Sequence, residues 1–215
     1  MKLYTYWRSS AAYRVRIALN LKSLTSELFS VHLVKNGGEQ LQSAYQAINH
    51  QGLVPTLEVD SGEVITQSLA IMEYLDEAFS KPALLPENPL ARARVRSIAQ
   101  VIACDIHPLN NLRVLKYLTG ELGVSDEEKK QWYQHWISLS FTSLERQLAN
   151  SNATGLFCHG DIPSIADACL VPQIYNARRF LLDMANFPTL KRIEENCQKL
   201  EAFQLAAPEA QEDAQ

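Results

Sequence analysis

Residues 2–21, KLYTYWRSSAAYRVRIALNL, decide the fold. The first six, Lys2 to Trp7, are rich in aromatic side chains and stop at a polar break, which reads as a β-strand. From Ser10 to Leu21 the residues Ala11, Val15, Ala18 and Leu19 recur at helical spacing, with Arg14 and Arg16 off that stripe. Between strand and helix lies Trp7-Arg8-Ser9-Ser10. Serines at such a junction supply hydroxyls and a cap, while the free N–H groups and the helix dipole favour an anion. A Ser-Ser pair before a helix is also ordinary capping, so its meaning depends on what surrounds it.

Downstream, Leu28 to Val34 reads as a second strand and Glu39 to Ile48 as a second, weaker helix. Thr56 to Val59 and Val64 to Thr66 flank the turn Asp60-Ser61-Gly62-Glu63, a hairpin signal. Gln67 to Phe79 reads as a helix with Leu69, Met72 and Leu75, or Ala70 and Tyr74, as candidates for burial. The order strand, helix, strand, helix, strand, strand, helix predicts an α/β domain with a four-stranded mixed sheet. Residues 80–89, SKPALLPENP, hold three prolines in ten positions and read as a linker.

Everything beyond the linker has helical periodicity. Leu90 to Leu122 reads as one long segment bent near Pro108, and Asp126 to Ala149 as another, entered through Ser125 as N-cap. Ser164-Ile165-Ala166-Asp167 has capping-box spacing and opens a helix to about Leu182. A short helix follows Pro188, and the polar stretch Ala207 to Gln215 is expected to fray. The expected division is an α/β domain over 1–81 and an all-helical domain over 88–215.

Composition removes whole classes of function. With 47% apolar and 20% charged residues in 215, the chain can bury a real core. A net charge of -4 gives no electrostatic reason for nucleic-acid binding. No apolar run approaches a membrane span, and the start MKLYTYWRSS lacks a signal-peptide core, so no membrane partner is expected. Cys104, Cys158, Cys169 and Cys197 lie far apart without a C-x-x-C pair, which suits reduced thiols in the cytoplasm. Cys158-His159-Gly160-Asp161 carries metal-capable side chains too tightly spaced for a tetrahedral set, so no metal is expected.

Two further segments bear on chemistry. Leu53-Val54-Pro55-Thr56-Leu57 sets a proline directly before a strand, where a cis bond would turn the backbone groups of Val54 outward for an extended peptide. Gln67-Ser68 opens the third helix, with Ser68 placed as its cap and the nearby N–H groups available to a carboxylate. Tyr4 and Tyr6 alternate within the first strand, so packing is their expected role, and Arg92, Arg94 and Arg96 read as a solvated helix face.

Taken in this order, the segments resemble the glutathione transferase superfamily, and most closely its zeta class, which contains the maleylacetoacetate isomerases. Arg8-Ser9-Ser10-Ala11-Ala12-Tyr13-Arg14-Val15-Arg16-Ile17-Ala18-Leu19 is similar to that class's signature segment. Val54-Pro55-Thr56-Leu57 and Gln67-Ser68-Leu69-Ala70-Ile71 are similar to its glutathione-site segments. The likeness runs nearly the whole chain, with one departure: Ala11 stands where the class usually has cysteine. That shifts the expected chemistry from a protein thiol to the serines.

The resemblance implies a thioredoxin-like first domain, an all-helical second domain, and a homodimer. It implies glutathione as cofactor, with Ser9 donating to its sulfur and Ser10 beside it. Val54 beside a cis Pro55 would pair with the cysteinyl backbone, and Gln67 and Ser68 would hold the γ-glutamyl end. In Cys104-Asp105-Ile106-His107-Pro108-Leu109-Asn110-Asn111-Leu112-Arg113, similar to the isomerases' substrate-facing stretch, His107 and Asn111 are implied to reach glutathione. Arg8, His107, Arg113 and Arg179 would meet a small dicarboxylic ene-dione, with Arg8 and Arg179 acting in catalysis. The implied reaction is cis–trans isomerisation of maleylacetoacetate, with maleylpyruvate isomerisation, or conjugation or dehalogenation of small α-halo acids, as alternatives.

Overall fold

The computed structural model describes residues 1–215, which divide into two compact units: Met1–Leu84 with Gln198–Gln215, and Leu85–Cys197. The first is built on four strands, β1 (Lys2–Thr5), β2 (Glu27–Ser30), β3 (Thr56–Glu58) and β4 (Val64–Thr66), in the order β2-β1-β3-β4. β2 runs parallel to β1, whereas β3 is antiparallel to both β1 and β4, giving the expected mixed sheet. Two strands are shorter than the sequence suggests. β1 ends at Thr5, since Tyr6 and Trp7 turn into an apolar cluster with Val31, Tyr45 and Val54. β2 ends at Ser30, and residues 35–41 form two 3-10 turns. The expected helix over 39–48 reduces to one of those turns and a single-turn α2 (Ser43–Gln46).

α1 (Ser10–Leu21) packs between α3 (Ser68–Ala78) and α9 (Glu201–Ala206), which explains why it is buried on almost every face. Arg14 and Arg16, off the apolar stripe, are inside and not on the surface, at 1% and 3% exposure. On α3 the buried apolar residues are Ile71, Met72 and Leu75, while Leu69, Ala70 and Tyr74 are not buried. Each of the three buried side chains contributes about 1.5–3 kcal/mol by leaving water.

The linker begins tightly anchored. Lys22 pairs with Asp76 at 2.9 Å, both side chains being buried, and its ammonium also donates to the carbonyls of Phe79 and Pro82 at 2.7 Å each. Asp76 in turn accepts the Leu84 N–H. Residues 198–215 belong to the first unit and not to the helical one, because α9 lies on α1. The stretch 207–215 is not frayed either: it forms a 3-10 turn at Pro208–Ala210, and Asp213 accepts hydrogen bonds from Trp7 and Ser30.

The helical unit holds α4 (Pro89–Gln100), α5 (Leu112–Gly120), α6 (Asp126–Ala149), α7 (Ile165–Arg179) and α8 (Pro188–Cys197). The segment expected as one bent helix over 90–122 is broken. α4 passes into a π-helical stretch, Val101–Ile106, and the chain turns at 107–111 before α5. α7 is almost wholly buried against α4 and α8. Its start is fixed by Asp167, which accepts from the Ser164 N–H and hydroxyl at 2.8 Å each. No helix is long and apolar enough to cross a membrane.

Candidate functional site

Register brings three distant segments to one end of the sheet. Tyr4 lies opposite Thr56, and Thr56 opposite Thr66, in a row across β1, β3 and β4. The residues that follow Tyr4 and Thr66, and those that precede Thr56, therefore leave the sheet on the same side. These are Trp7–Ser10, Gln67–Ser68 and Val54–Pro55.

Ser9 is the N-cap of α1, and its Oγ accepts the Ala12 N–H at 3.3 Å. An oxygen used as acceptor still carries its own hydrogen, and the Ser9 hydroxyl gives that hydrogen to no protein group. Ser10 is the first helical residue and is buried. The Arg8 guanidinium lies 4.8 Å from the Trp7 ring centre, a stacked position that holds it by cation–π attraction.

The Val54-Pro55 bond is cis. Around it, the Tyr45 hydroxyl donates to Leu53 O at 2.6 Å, and Asn49 donates to the same carbonyl and to Thr56 Oγ1. Burial pushes the Tyr45 phenol up, so it stays a protonated donor at neutral pH. Neither backbone polar group of Val54 has a backbone partner, so an extended chain has both to pair with.

Ser68 is the first residue of α3, not its cap. The cap position belongs to Gln67, whose backbone sits at φ 72° in the left-handed region. A non-glycine residue held there costs of order 1–3 kcal/mol, which concentrates at binding sites. The exposed Gln67 amide donates to Gln51 at 3.0 Å, and its side chain does not cap the helix. Five of the six other helices of nine residues or more have side-chain acceptors on their first N–H groups, from Ser9, Asn88, Asn111, Ser125, and Glu145 for α8, while α7 is closed by the Ser164–Asp167 capping box. At α3 those donors stay open beside a buried serine. The Ser68 Oγ accepts from Arg14 Nη1 at 3.3 Å, so its hydrogen too is left to donate elsewhere.

In the helical unit the expected residues fall on separate elements, since the chain breaks between them. His107 ends the π-helical stretch, Asn111 caps α5 by accepting the Arg113 N–H at 3.1 Å, and Arg113 is exposed on α5. Arg179 closes α7, 5.0 Å from the centre of the Phe180 ring, which stacks on Tyr133 at 3.5 Å. α6 ties these pieces together. Trp132 donates to Leu109 O, Asn110 donates to Tyr133 O, and Gln134 donates to Phe180 O. Burial pushes the Tyr133 phenol up, against the opposing pull of Arg179. The neighbouring Arg178 is an ion-pair partner of Glu194 at 2.6 Å. Arg94 departs from the expected solvated face: it donates to Cys158 O at 2.6 Å and to Thr154 at 2.8 Å. All four cysteines are free thiols.

Two residues that the sequence reading left out of the site are Arg14 and Arg16. Their signal was present, as two arginines inside an apolar helix that buries on several sides.

Comparison with known proteins identifies the family. Residues 8–78 match the family model for the glutathione S-transferase N-terminal domain. A probable maleylacetoacetate isomerase of Vibrio cholerae is 52% identical over 212 residues, covering 99% of this chain and 97% of that protein. A holo structure of maleyl pyruvate isomerase, described as a bacterial zeta-class glutathione S-transferase, superposes with a TM-score of 0.97 at 44% identity over the full length of both chains. A maleylacetoacetate isomerase of Methylobacterium extorquens AM1 with bound malonate and glutathione superposes at 0.96, with 43% identity and full coverage of both. With this similarity running from end to end, the chain belongs to the glutathione S-transferase family, in its zeta class.

Proposed function

We propose that this protein is a glutathione-dependent cis–trans isomerase acting on a small dicarboxylic ene-dione, with maleylacetoacetate as substrate. The observation that carries the reading is the pair of hydroxyls of Ser9 and Ser68. Each oxygen already accepts from the protein, so each hydrogen is left for a ligand, on the same side of the sheet as the open N–H groups of α3. The names of the relatives supply the reaction, and the malonate and glutathione in one of them fit the chemistry of a dicarboxylate beside a thiol.

Glutathione fits these groups. Its γ-glutamyl carboxylate suits the Ser68 hydroxyl and the uncapped α3 donors, with Gln67 alongside. The cysteinyl backbone suits the unpaired N–H and C=O of Val54 beside cis Pro55, and the sulfur suits Ser9, with Ser10 next to it. Bound there, glutathione supplies a thiolate that adds reversibly to the cis double bond, allowing rotation before the thiol is returned.

Ser9 stabilises the thiolate form by donating to it. Lowering a thiol pKa from about 8.5 by two units raises the ionised fraction at pH 7 from roughly 3% to roughly 75%, yet costs about six- to tenfold in reactivity. Ionisation alone therefore gains only a few-fold. The larger factors are orientation and stabilisation of the negative charge that develops on the substrate carbonyl. Arg8 and Arg179 take that role, their planar forks meeting a carboxylate with two hydrogen bonds. The family resemblance assigns His107 and Arg113 to the substrate, and His107 and Asn111 to glutathione.

The same reading has the protein working as a cytoplasmic homodimer in aromatic amino-acid breakdown, with residues 1–81 as the glutathione-binding domain. Maleylpyruvate is the second substrate of choice, favoured by the 0.97 superposition on its isomerase. Conjugation or dehalogenation of α-halo acids would differ by consuming glutathione. Varying both substrates in steady-state kinetics tests the assignment: Arg8→Ala and Arg179→Ala should lower turnover of the dianion more than glutathione affinity. Equal losses on both axes would remove the arginines from this role.

A further inference from the structure

The turn that carries Arg8 and Ser9 is held from two sides, by Arg16 of α1 and by Asp213, which is 206 residues from Trp7. From within, the buried guanidinium of Arg16 donates through Nη1 to Thr5 Oγ1 at 3.0 Å and to Tyr6 O at 3.3 Å. Its Nη2 donates to Trp7 O at 2.9 Å and its Nε to Ala206 O at 3.1 Å. Tyr6 O also accepts the Ser9 N–H at 2.9 Å, so one carbonyl joins Arg16 to the backbone of Ser9. Burial lowers the Arg16 guanidinium to about 10, which leaves it charged at neutral pH.

From the other side comes the stretch 207–215. Asp213 Oδ2 accepts the Trp7 N–H at 3.1 Å and the Ser30 hydroxyl at 2.8 Å. Trp7 is thus fixed at both its backbone groups, its oxygen by Arg16 and its nitrogen by Asp213. The next residue, Ala214, packs on the cluster that contains Tyr6, Trp7 and Val54. Gln211 pins the stretch by donating to Leu205 O and Ala207 O at 2.9 Å each. None of these groups is needed to close the sheet, since β1 is already paired on both edges.

We propose that residues 207–215 are a positioning strap for the turn Trp7–Ser9, and that Asp213 is the positioning residue through which the strap, with Arg16, sets the donor directions of Ser9 and Arg8. This rests on the reading of Ser9 as the sulfur ligand. Small displacements suffice for a kinetic effect: a shift of about 1 Å in a positioned group can cost up to about 100-fold in rate.

The test follows the ultraviolet absorbance of bound thiolate against pH, together with kcat and KM, for wild type, Ser9→Ala, Asp213→Ala and Asp213→Asn. Asp213→Ala should raise the pH at which the bound thiol ionises and lower kcat about tenfold, with KM for glutathione within about twofold. Asp213→Asn keeps an oxygen that accepts the Trp7 N–H, and should lie close to wild type. A purely structural role would lower melting temperature without moving the thiol titration. If Asp213→Ala does not fold, Ser30→Ala, which removes one of the two bonds to the carboxylate, should move the titration in the same direction by less. Should Ser9→Ala shift the titration while neither Asp213→Ala nor Ser30→Ala does, the strap is overturned and the sulfur site stands. A Ser9→Ala protein that titrates like wild type overturns the sulfur assignment, and the strap with it. Equal loss in Asp213→Asn and Asp213→Ala would also overturn positioning by hydrogen bond, since charge alone would then be acting.

Discussion

Arg14 and Ser68, 54 residues apart in the chain, meet inside the first unit, where Nη1 of the arginine donates to the serine Oγ at 3.3 Å. That donation takes one lone pair of the hydroxyl oxygen and so orients its hydrogen away from the arginine. Ser68→Ala should weaken glutathione binding about tenfold or more, the scale of a hydrogen bond of about 1.5–3 kcal/mol to a charged group. Calorimetric titration measures it, and kcat at saturating glutathione should change little. Arg14→Lys, which keeps a donor, should fall between wild type and Ser68→Ala.

Lys22 and Asp76 predict a different kind of loss. Both side chains are buried, and the ammonium also holds the carbonyls of Phe79 and Pro82. Lys22→Met leaves a carboxylate buried without its counter-charge, at a cost of about 3–5 kcal/mol. Adding Asp76→Leu should recover much of that stability in urea unfolding, and a double variant as unstable as the single one would contradict the account.

The adjacent arginines at the end of α7 should separate cleanly. Arg178 pairs with the buried carboxylate of Glu194 at 2.6 Å, whereas Arg179 lies over Phe180. Arg178 is half exposed, so Arg178→Ala should cost about 1–2 kcal/mol of stability and little turnover. Arg179→Ala should do the reverse. Melting curves beside kcat for the two variants decide the matter.

His159 gives a pH dependence with a definite sign. Its Nδ1 faces Arg94 Nη1 at 3.2 Å, and a guanidinium only donates, so Nδ1 keeps its lone pair. Burial, and then that guanidinium, hold the imidazole below its ordinary value of 6.5. The unfolded chain therefore takes up this proton first as pH falls. Stability should decline on acidification below about 6.5, and the loss is complete below the folded value. In His159→Gln, which keeps an acceptor without titrating, the melting temperature should fall less between about pH 7 and about pH 5. Equal slopes would remove His159 as the cause.

The mixed sheet, α1, the hairpin and the two capping segments at Ser125 and Ser164 were legible because local chemistry and tertiary structure agree there. Arg14 and Arg16 were misread because helical periodicity describes a helix buried on one face, and α1 lies between two others. The break at 107–111 hid inside an apolar run that continues across it. The gap at the head of α3 could not be read at all: Ser68 has a capping side chain, yet the strained Gln67 takes the cap position. Nor does sequence separation hint that Asp213 accepts from Trp7. Polar residues at 207–215 signal fraying until a specific acceptor finds a specific donor.

One assay bears on the centre of this account: maleylacetoacetate mixed with the protein and a small amount of glutathione, following enone absorbance and free thiol together. The two serine hydroxyls and the arginines predict many turnovers per glutathione, with the thiol returned undiminished, and little conversion when glutathione is left out. Thiol lost one for one with substrate, or equal conversion in its absence, would contradict it.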